Sequence, residues 1–512
     1  MIMPQNKNKS VSVRKMDAAA DNKKSENKPQ AEIRFKKDNL VTSARYIDKK
    51  DVVNAVLEDG KEYTLAEVDE LIRKFIMALG GGSFTTQNKV LPGTYINFVS
   101  AAAATASLSD RGICTMPLEL DWGPDEQVFT VTNEDFQKNS KMIFGYAYDS
   151  DKLKGLRDLF INAVTLYAYR LNSGGKKASS DIAEARYAGT RGNDITISVS
   201  KNVDEPSKFD VVTYLDASKV DSQTVANAKE LAANDYVVFK ADAELTVAAG
   251  IKLSDGTNGT TSGESHQKYL DKIESFAYNA MGVVVEDEVT KRLYVSFVKR
   301  LRDEMGIKFQ LVLYNYKEAD HMGVISVKNK VLDDGESAAS LVYWTTGAEC
   351  GCSISASVQN RVYDGEFETD TDYTQTQLKT ALQRGEFVFH NVSGEVRVLD
   401  DINTMVTTTD TQGDVFKDNQ TIRVIDQIAN DDAVLFNTKY LGKMPNNQAG
   451  RTALWTDLVK LRKELQRIGA IENFNESDVK VLQGDTKKAV VVENAVTVVN
   501  AMSKMYMTVT IS

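Results

Sequence analysis

The sequence predicts a multidomain fold of mixed α+β and α/β structure: two mixed α/β blocks form an inner core, a β-rich domain is inserted between them, and extended arms lie at the N- and C-terminal ends. The chain has 512 residues, more than one hydrophobic core normally serves. Helix-like and strand-like stretches alternate over 111–175 and again over 263–380, which is typical of α/β blocks. Residues 176–262 instead form short alternating runs separated by turns, so they predict a β-rich insertion on the outside of the molecule.

The first 76 residues divide into two predicted segments. Residues 1–50 are rich in Lys, Asn, Asp and Ser, and such a composition buries too little apolar surface to offset the entropy of ordering, so we expect disorder. Residues 51–76 are expected to form a small hairpin and a helix. A strand-like run and an Asp-Gly turn precede Thr64 and Glu67, which have the spacing of a helix capping box.

A linker arm is predicted over 77–110. A glycine run follows Met77, and the extended run Tyr95-Ile96-Asn97-Phe98-Val99 comes after it with one complete turn signal between them. Met77 is itself a possible translation start. The residues before it are therefore interpreted as an appended module.

Five segments define the first block and the insertion. In the block we expect a strand over 141–148 and an amphipathic stretch over 153–171. In the insertion we expect strands over 194–199 and 209–214, and a loop over 253–259 closes it.

The second block and the C-terminal part repeat the α/β rhythm. In the second block the predicted elements are a strand at 283–285, a helix at 288–305, strands at 307–314 and 323–327, and a helix at 336–346. In the C-terminal inner domain, 381–504, they are strands at 385–389 and 396–399, a helix at 422–436 and a long helix from Arg451. Residues 505–512 are predicted to be a terminal arm strand.

Composition and charge exclude several classes of protein. Hydrophobic residues make up 42% and charged residues 26%, as in ordinary globular proteins, and no run of about eighteen apolar residues that would span a bilayer is present. The net charge is −10 and the pI is near 5.2, which argues against direct contact with nucleic acid. The polar N-terminal segment lacks the apolar core of a signal peptide, so the chain is expected to accumulate in the cytoplasm where it is made.

No catalytic, metal or cofactor site is expected. Cys114, Cys350 and Cys352 are too few for a disulfide framework and lack the partners of a zinc site, so we interpret them as buried apolar side chains. No Gly-x-Ser-x-Gly elbow is present, and the glycine-rich loop from Gly256 lacks the Lys of a phosphate loop. The histidines have no metal-binding spacing: His266, His321 and His390. The acidic pairs are interpreted as solvated caps: Asp333-Asp334, Asp400-Asp401 and Asp431-Asp432.

Short phrases in a fixed order cover nearly all of the chain after Met77. The earlier ones are Leu91-Pro92-Gly93-Thr94-Tyr95, Tyr187-Ala188-Gly189-Thr190-Arg191, Leu253-Ser254-Asp255-Gly256 and Tyr363-Asp364-Gly365. The C-terminal ones are Ile402-Asn403-Thr404, Arg423-Val424-Ile425-Asp426, Tyr440-Leu441-Gly442-Lys443 and Gly469-Ala470-Ile471. In their order and coverage they resemble the contractile tail sheath family of Gram-positive phages and phage-tail-like bacteriocins. The first 76 residues have no counterpart in that pattern.

The resemblance implies a structural protein and not an enzyme. Sheaths of this family stack as hexameric rings around a tail tube in a metastable extended state. A signal from the baseplate makes them shorten and drive the tube into a bacterial envelope, with energy stored at assembly. The implied partners are further copies of this chain, the tail tube protein, and the baseplate and tail-terminator proteins. The implied location is the bacterial host cytoplasm during assembly, and then the outer layer of the tail of a virion or phage-tail-like particle.

The C-terminal strand is predicted to join one subunit to another. Two sets of side chains alternate along it, Met505, Met507, Val509 and Ile511 on one face and Tyr506, Thr508 and Thr510 on the other. A terminal strand pairs either at an edge of its own domain or with another sheet. The resemblance favours exchange between subunits, with the neighbour's arm around Tyr95–Val99 as the other partner.

A basic strip is predicted on the long helix after Arg451. Lys460, Lys463 and Arg467 share one helix face, away from the apolar stripe. One interpretation is a solvated face balanced by Asp457 and Glu464. The other rests on the resemblance, which places the tube-facing surface on the C-terminal domain, so that the strip meets acidic groups of the tube.

Two alternatives from other classes stay open. One is a cytoplasmic α/β enzyme whose active site the sequence does not reveal. The other is a self-assembling surface-array protein, for which an export signal would be expected. Rings, tubes or polysheaths seen by negative stain would separate a sheath from an enzyme that turns over substrate as a monomer.

Overall fold

The computed structural model describes residues 10–15, 31–37, 40–47, 62–64 and 108–511, and the chain divides into two units, 1–103 and 104–512. In the first unit four antiparallel strands form one sheet in the order β3-β2-β1-β4: β1 (Ser10–Lys15), β2 (Ala31–Lys37), β3 (Leu40–Ile47) and β4 (Glu62–Thr64). The strands β1, β2 and β3 lie within residues 1–50, for which disorder is predicted. That prediction rests on the average composition of the segment, which does not show short alternating runs such as that of β1. The hairpin strand and helix predicted within 51–76 and the arm strand at Tyr95–Val99 lie outside the described residues.

The second unit opens with the first block. Its elements are β5 (Ile113–Leu118), β6 (Val128–Thr132), α1 (Asn133–Phe144), α2 (Lys154–Phe160) and β7 (Thr165–Arg170). The strand predicted over 141–148 is wrong, because its first residues end α1. Thr132 caps that helix by accepting from the backbone N–H of Asp135, and Gly145 ends it with a φ of 81°. The stretch predicted over 153–171 is two elements, since β7 pairs in parallel with β5.

The insertion is β-rich, as the sequence predicts, and its sheets are antiparallel. Its strands are β8 (Lys177–Ser179), β9 (Ala183–Ala188), β10 (Ile195–Lys201), β11 (Phe209–Leu215), β12 (Ser218–Val225), β13 (Val237–Phe239) and β14 (Ala248–Lys252). One sheet has the order β12-β11-β10-β14 and the other β13-β9-β8. Ile195, Ile197 and Val199 are buried at alternate positions of β10, which shows that one face of the strand lies on a core.

The second block supplies most of the parallel strands. Its elements are α3 (Gly263–Ile273), β15 (Ala280–Gly282), α4 (Glu288–Lys299), β16 (Gln310–Tyr314), β17 (Val324–Val327), α5 (Leu341–Gly351), α6 (Gln375–Gln383) and β18 (Glu386–Phe387). The helix predicted at 288–305 is confirmed as α4 and the π-helical turn Arg300–Glu304. The predicted strand at 283–285 lies three residues earlier, where β15 pairs with its neighbours, and the helix predicted at 336–346 begins later, at Leu341.

The C-terminal domain contains two long helices and three small strand pairs. Its elements are β19 (Phe389–Val392), β20 (Glu395–Val398), α7 (Asn419–Leu435), α8 (Gln448–Arg467), β21 (Ile471–Glu472), β22 (Val479–Gln483), β23 (Val490–Asn494) and β24 (Thr497–Val498). A π-helical turn, Phe436–Tyr440, follows α7. The predicted long helix starts before Arg451, because the side chain of Asn447 caps it by accepting from the backbone N–H of Gly450.

Seven strands form the central sheet in the order β18-β17-β16-β15-β5-β7-β6. Neighbours are parallel except β6, which runs antiparallel to β7. Leu311 and Leu313 of β16 belong to one apolar cluster and Val312 to another. Because side chains alternate along a strand, the two clusters lie on opposite faces, and the sheet is buried on both.

The insertion is joined to the first block by an aromatic and polar contact. The ring of Trp122, which precedes β6, lies 5.2 Å from that of Tyr187 and 6.2 Å from that of Tyr236 between centroids. Trp122 thereby belongs to the apolar core of the insertion. Arg191 of the insertion donates from Nε to the carbonyl oxygen of Gly145 at 2.7 Å. The insertion is therefore packed against the body and is not a freely hinged domain.

A buried ionic cluster joins the second block to the C-terminal domain. Arg423 of α7 donates from Nη2 to Oε2 of Glu349 at 2.7 Å and to Oδ2 of Asp401 at 3.3 Å, and all three side chains are at most 1% exposed. Burial, and then the Asp401 carboxylate, raise the pKa of Glu349 well above its usual value. Burial opposes ionisation of Asp401, but Arg423 and hydrogen bonds outweigh it, so the pKa of Asp401 is lowered. The two pKa values are therefore shifted in opposite directions, and Glu349 takes up a proton more readily than Asp401.

Candidate assembly surfaces

The C-terminal arm, residues 502–511, leaves the domain beside the first turn of α7. Asn500 bonds to the hydroxyl of Thr421 at 3.0 Å, and the backbone N–H of Ala501 donates to Oε1 of Gln420 at 2.9 Å. Beyond this root the described residues form no helix or strand. The exposed fractions of the large apolar side chains are 83% for Met505, 72% for Met507, 69% for Val509 and 92% for Ile511. The strand predicted for this segment is therefore not paired at an edge of its own domain.

The linker arm also joins the body at the C-terminal domain. Its predicted strand, Tyr95–Val99, lies outside the described residues, but its last residues do not. Leu108 packs on the apolar core of the C-terminal domain, and the backbone N–H and hydroxyl of Ser109 donate to Oδ1 of Asp431 in α7. Both arms are thus rooted along α7, one near each end of the helix.

The hairpin of β22 and β23 is fixed to the long helices by the side chains of Asn446 and Trp455. Nδ2 of Asn446 donates to the carbonyl oxygens of Lys487 and Ala489 at 3.1 and 2.7 Å, which holds the hairpin turn. The indole of Trp455 in α8 donates to the carbonyl oxygen of Val479 at 2.9 Å. This anchoring leaves a two-stranded sheet, a size that is marginal unless it gains further strands or a cover.

The outer face of this hairpin carries an uncovered apolar pair. Leu482 and Val491 lie opposite each other in the register of β22 and β23, and both side chains are exposed. Lys480 and Glu493 form the neighbouring cross-strand pair on the same face, 3.3 Å apart. The hairpin therefore offers two strand edges and an apolar site on its outer face.

A cavity of about 100 Å³, here called the hairpin pocket, lies between the π-helical turn after α7, the start of α8 and the hairpin. Its apolar lining comes from Phe436, Tyr440, Leu441, Met444, Leu454 and Val490. Arg451 and Lys488 add two cations to the lining. Tyr440 is held in place because its hydroxyl donates to Asp457.

The predicted basic strip is only partly free. Lys460, Lys463 and Arg467 are all exposed on α8. Lys463, however, pairs with Glu476, and Arg467 pairs with Glu464 at 2.6 Å. Asp457 does not balance the strip as expected, because it pairs with Lys439 at 2.6 Å. Among the residues that the structure describes, Lys460 has no carboxylate within ion-pair distance.

The cysteines and two of the histidines that were considered as catalytic or metal-binding candidates are buried or bonded to other side chains of the fold. All three cysteines are buried and free. His266 is buried, and its Nδ1 lies 2.7 Å from the hydroxyl of Tyr294, while His321 lies 3.1 Å from Asp303. In the part of the chain that the structure describes, no three His, Cys, Asp or Glu side chains are placed to hold a metal.

Two acidic pairs differ from the predicted solvated caps. Asp401 lies in the ionic cluster described above. Asp431 is buried and accepts from Ser109, and Asp432 accepts from Nη1 of Arg462, a buried cation that the sequence pattern does not reveal, at 3.0 Å. These carboxylates are therefore committed to bonds within the fold.

Four family models match successive parts of this chain. They are tail sheath protein Gp18 domain III N-terminal region over 111–171, phage tail sheath protein beta-sandwich domain over 173–258, phage tail sheath protein central domain over 259–404, and phage tail sheath C-terminal domain over 411–512. The phage-like element PBSX protein XkdK of Bacillus subtilis is 32% identical over 472 residues, which cover 85% of this chain and 100% of that protein. The chain belongs to the phage tail sheath family.

Solved sheath structures share the fold. The sheath tail protein of Desulfitobacterium hafniense is 37% identical with a TM-score of 0.69, over 79% of this chain and 96% of that one. The PVC sheath of an extracellular contractile injection system, in its contracted state, has a TM-score of 0.50 over 83% of this chain and 98% of that one. At 11% identity this second likeness shows the fold alone. The fold class is confirmed, and the protein is a structural sheath subunit of a phage tail or phage-tail-like particle.

The sheath chain is longer than its Bacillus relative. The XkdK protein is matched over its whole length by 85% of this chain, so the remaining 15% has no counterpart in it. The family models begin at residue 111. That residues 1–76 form an appended module stays a prediction. Among the described residues, no helix combines the length and apolarity needed to cross a bilayer.

Proposed function

We propose that this sheath subunit assembles with copies of itself into stacked hexameric rings around a tail tube, and that the resulting lattice shortens to drive the tube through a bacterial envelope. The observation that carries the proposal is the C-terminal arm, whose apolar side chains are exposed in the single chain. Exposed apolar side chains do not stabilise a monomer, whereas contacts between subunits of a polymer bury them. The proposed function requires no catalysis, and no feature of the described residues favours the enzyme or the surface-array alternative.

Strand exchange is the proposed link between subunits. The arm has the alternation of a strand but no partner in its own domain, and a donated strand gains a full ladder of backbone hydrogen bonds. The exposed edges of the β22–β23 hairpin are suitable acceptors, and the neighbour's strand at Tyr95–Val99 is proposed to complete the same sheet. Ladders on flexible segments keep subunits connected while their bodies rotate, so the lattice changes shape without dissociating.

The remaining partners follow from the same proposal. The tail tube, the baseplate and a tail-terminator protein are proposed to contact the assembled sheath, without direct contact to nucleic acid or insertion in a membrane. Assembly is proposed to take place in the cytoplasm of the bacterial host. On the tube-facing side we propose α8, where Lys460 is the cation of the predicted strip with no acid near it within the described part of the chain.

Backbone pairing of the arm is tested by a matched pair of variants of the full chain. Val509→Pro removes a backbone donor from the arm, and Val509→Thr keeps the donor and the β-branched shape. We expect the Pro variant to remain a folded monomer while the Thr variant forms rings, tubes or polysheaths, as seen by negative-stain microscopy and analytical ultracentrifugation. Polymerisation of both variants to the same extent would contradict strand exchange.

Removal of the whole arm tests the same proposal at larger scale. A chain ending before Met505 should stay monomeric with an unchanged circular dichroism spectrum, because the described arm makes no strand or helix within its own domain. Loss of the folded spectrum would show instead that the segment completes the subunit's own core.

A further inference from the structure

We propose that the hairpin pocket is the anchor site for the C-terminal arm of a second copy of this chain, which seats one of its methionine side chains there. The inference rests on the proposed strand exchange and adds the site that fixes its register. Three observations carry it: the surface that the pocket offers, the chemistry of the arm, and the positions of arm and pocket at opposite ends of α7.

The pocket is an apolar site that the single chain leaves partly open. Leu441 and Met444, which line it, are 59% and 42% exposed. Liquid water occupies about 30 Å³ per molecule, so a cavity of about 100 Å³ has room for one side chain and not for a folded element. Val490 of β23 lines the same cavity, so a strand added along the hairpin would carry its side chains across or beside the pocket.

The arm has the chemistry that such a cavity accepts. Residues 505–511 include no charged side chain, so the cations Arg451 and Lys488 do not repel them. Met505 and Met507 share one face of the arm as a strand. Methionine is unbranched and flexible, which suits an irregular apolar cavity better than a β-branched side chain does.

The positions of arm and pocket make the contact head-to-tail. The arm is rooted at Gln420 and Thr421, in the first turn of α7, whereas the pocket begins at Phe436, just past the end of that helix. Sixteen residues of helix separate these positions by about 24 Å. A contact between different ends of two identical subunits does not pair symmetrically, and it generates rings or open helical stacks.

Site-specific disulfide formation tests the proposal in the full-length chain, whose three native cysteines are buried. One version of the chain carries Met507→Cys and a second, distinguishable by an affinity tag, carries Met444→Cys. The matched control carries Val434→Cys. Val434 lies in the same domain, is 59% exposed and is outside the lining of the pocket.

Mixed under mild oxidation, the Met507→Cys and Met444→Cys chains should give a disulfide-linked dimer containing both, at least about tenfold more than the pair with Val434→Cys. Equal linking of the two pairs would overturn the proposal. So would a doubly substituted chain that links only within itself. If neither Met507→Cys nor Met505→Cys gives the dimer with Met444→Cys while the chain ending before Met505 is still monomeric, the pocket is refuted and strand exchange stands.

A charge at the rim gives an independent readout. Met444→Glu places a carboxylate where an apolar side chain is proposed to dock, and the partial exposure of Met444 leaves folding intact. We expect the protein concentration needed for polymerisation to rise at least about tenfold, the effect of losing one buried side chain. Val434→Glu should change it little. Equal effects of the two substitutions, or no effect of Met444→Glu, would contradict the assignment.

Discussion

Single side chains give the physical reason for the phrases that mark this sequence. In Tyr363-Asp364-Gly365, the hydroxyl of Tyr363 donates to Oδ2 of Asp158 at 2.5 Å, and Asp364 accepts from the indole of Trp344 at 2.8 Å. Gly365 lies against the Asp158 carboxylate, where a Cβ would collide with it. Asp158 is 205 residues from Tyr363 in the sequence, so the phrase predicts the family but not its own partners.

Asp158 predicts a pH dependence of stability. Burial raises its pKa to about 6, although Tyr363 and the backbone N–H of Glu366 donate to the carboxylate. A carboxyl whose pKa is higher in the folded than in the unfolded protein stabilises the fold most when it is protonated, and this contribution is lost as the pH rises through about 6. We expect the Tm of the wild type minus that of Asp158→Asn to decrease from about pH 5 to about pH 7.5 in scanning calorimetry.

The matched control for this prediction is Glu366→Gln. The pKa of Glu366 is lowered by its hydrogen bond with Arg157, so its contribution is lost only as the pH falls below that range. The corresponding difference in Tm should change much less between about pH 5 and about pH 7.5, because the Glu366 charge is a smaller cause of the raised pKa of Asp158 than burial is. An equally flat profile for Asp158→Asn would show that Asp158 does not titrate there.

The ionic cluster at the C-terminal joint predicts an asymmetry between two substitutions. The pKa of Glu349 is raised and that of Asp401 is lowered, so we expect Glu349 to be the neutral carboxyl and Glu349→Gln to cost less than about 1 kcal/mol. Arg423→Met leaves the Asp401 carboxylate buried without its cation, which should cost about 3–5 kcal/mol. Urea unfolding of both variants measures the difference, and equal costs would mean that Glu349 is ionised in the folded protein.

At the scale of elements, the sequence predicts helices and strands well where the periodicity lies within the segment itself. It predicts them poorly where the structure depends on a distant cap or on a neighbouring strand. The helix α4 and the strands β10 and β11 follow from periodicity within the segment. The end of α1 is predicted as a strand because its apolar run, Met142-Ile143-Phe144, fits either structure, and the deciding cap at Thr132 lies ten residues earlier. The C-terminal arm has the alternation of a strand and finds no edge within its own domain. A sequence predicts a tendency to pair, and the partner comes from the fold or from another subunit.

The ion pairs on α8 indicate which cation of the basic strip is available to contact acidic groups of the tube. Lys463 and Arg467 are neutralised by Glu476 and Glu464, whereas Lys460 is not neutralised by any described residue. We expect Lys460→Glu alone to reduce the amount of extended sheath on tubes, and reversal of all three charges to prevent it. Each exposed contact contributes only about 0.2–1 kcal/mol, so the effect depends on repetition along the tail and weakens at high salt.

Tube-free polysheath is the internal control for the strip. Its formation should be unchanged in the Lys460→Glu and triple-reversal variants, because the proposed links between subunits lie elsewhere. Electron microscopy of tails and polysheaths from the same preparations makes the comparison. Normal extended tails from the triple variant would exclude the strip as a tube contact.

At the scale of the whole molecule, the contacts between domains determine whether a domain can be deleted without destabilising the rest. The short alternating runs of the insertion suggest, from sequence alone, that it can be deleted by connecting Leu171 to Gln267 through a short linker with ring assembly intact. The structure places Trp122 of the body within the core of the insertion and Arg191 of the insertion on the body. Such contacts escape sequence analysis because both partners look like ordinary core or surface residues until the domains are packed together.

Deletion of residues 172–266 is therefore expected to expose Trp122 and to give an aggregation-prone body. Combining the deletion with Trp122→Ser should restore a soluble chain that still forms rings, because the proposed links between subunits lie in the two arms and the C-terminal domain. Light scattering and negative-stain microscopy of the two versions test this. A folded body that forms no rings even with Trp122→Ser would place an essential contact in the insertion.

The appended module makes a separate prediction. A chain that starts at Met77 keeps both proposed arm strands and should polymerise as the full chain does. If the module lengthens the linker arm, removing it should also change how far the lattice shortens, which helical reconstruction of both versions measures. A monomeric chain from Met77, beside a polymerising full chain, would show that residues 1–76 take part in assembly.

The separation of the arm and the hairpin pocket along α7 gives the growing polymer a direction. With the proposed contact, every stack has one end that presents unpaired arms and another that presents empty pockets, so the two ends differ chemically although every subunit is identical. A nucleating complex and a capping protein then need opposite chemistry. The protein that binds the end with unpaired arms must provide a hairpin and pocket that accept a strand. The protein that binds the other end must provide an extended apolar strand that fills the empty pockets.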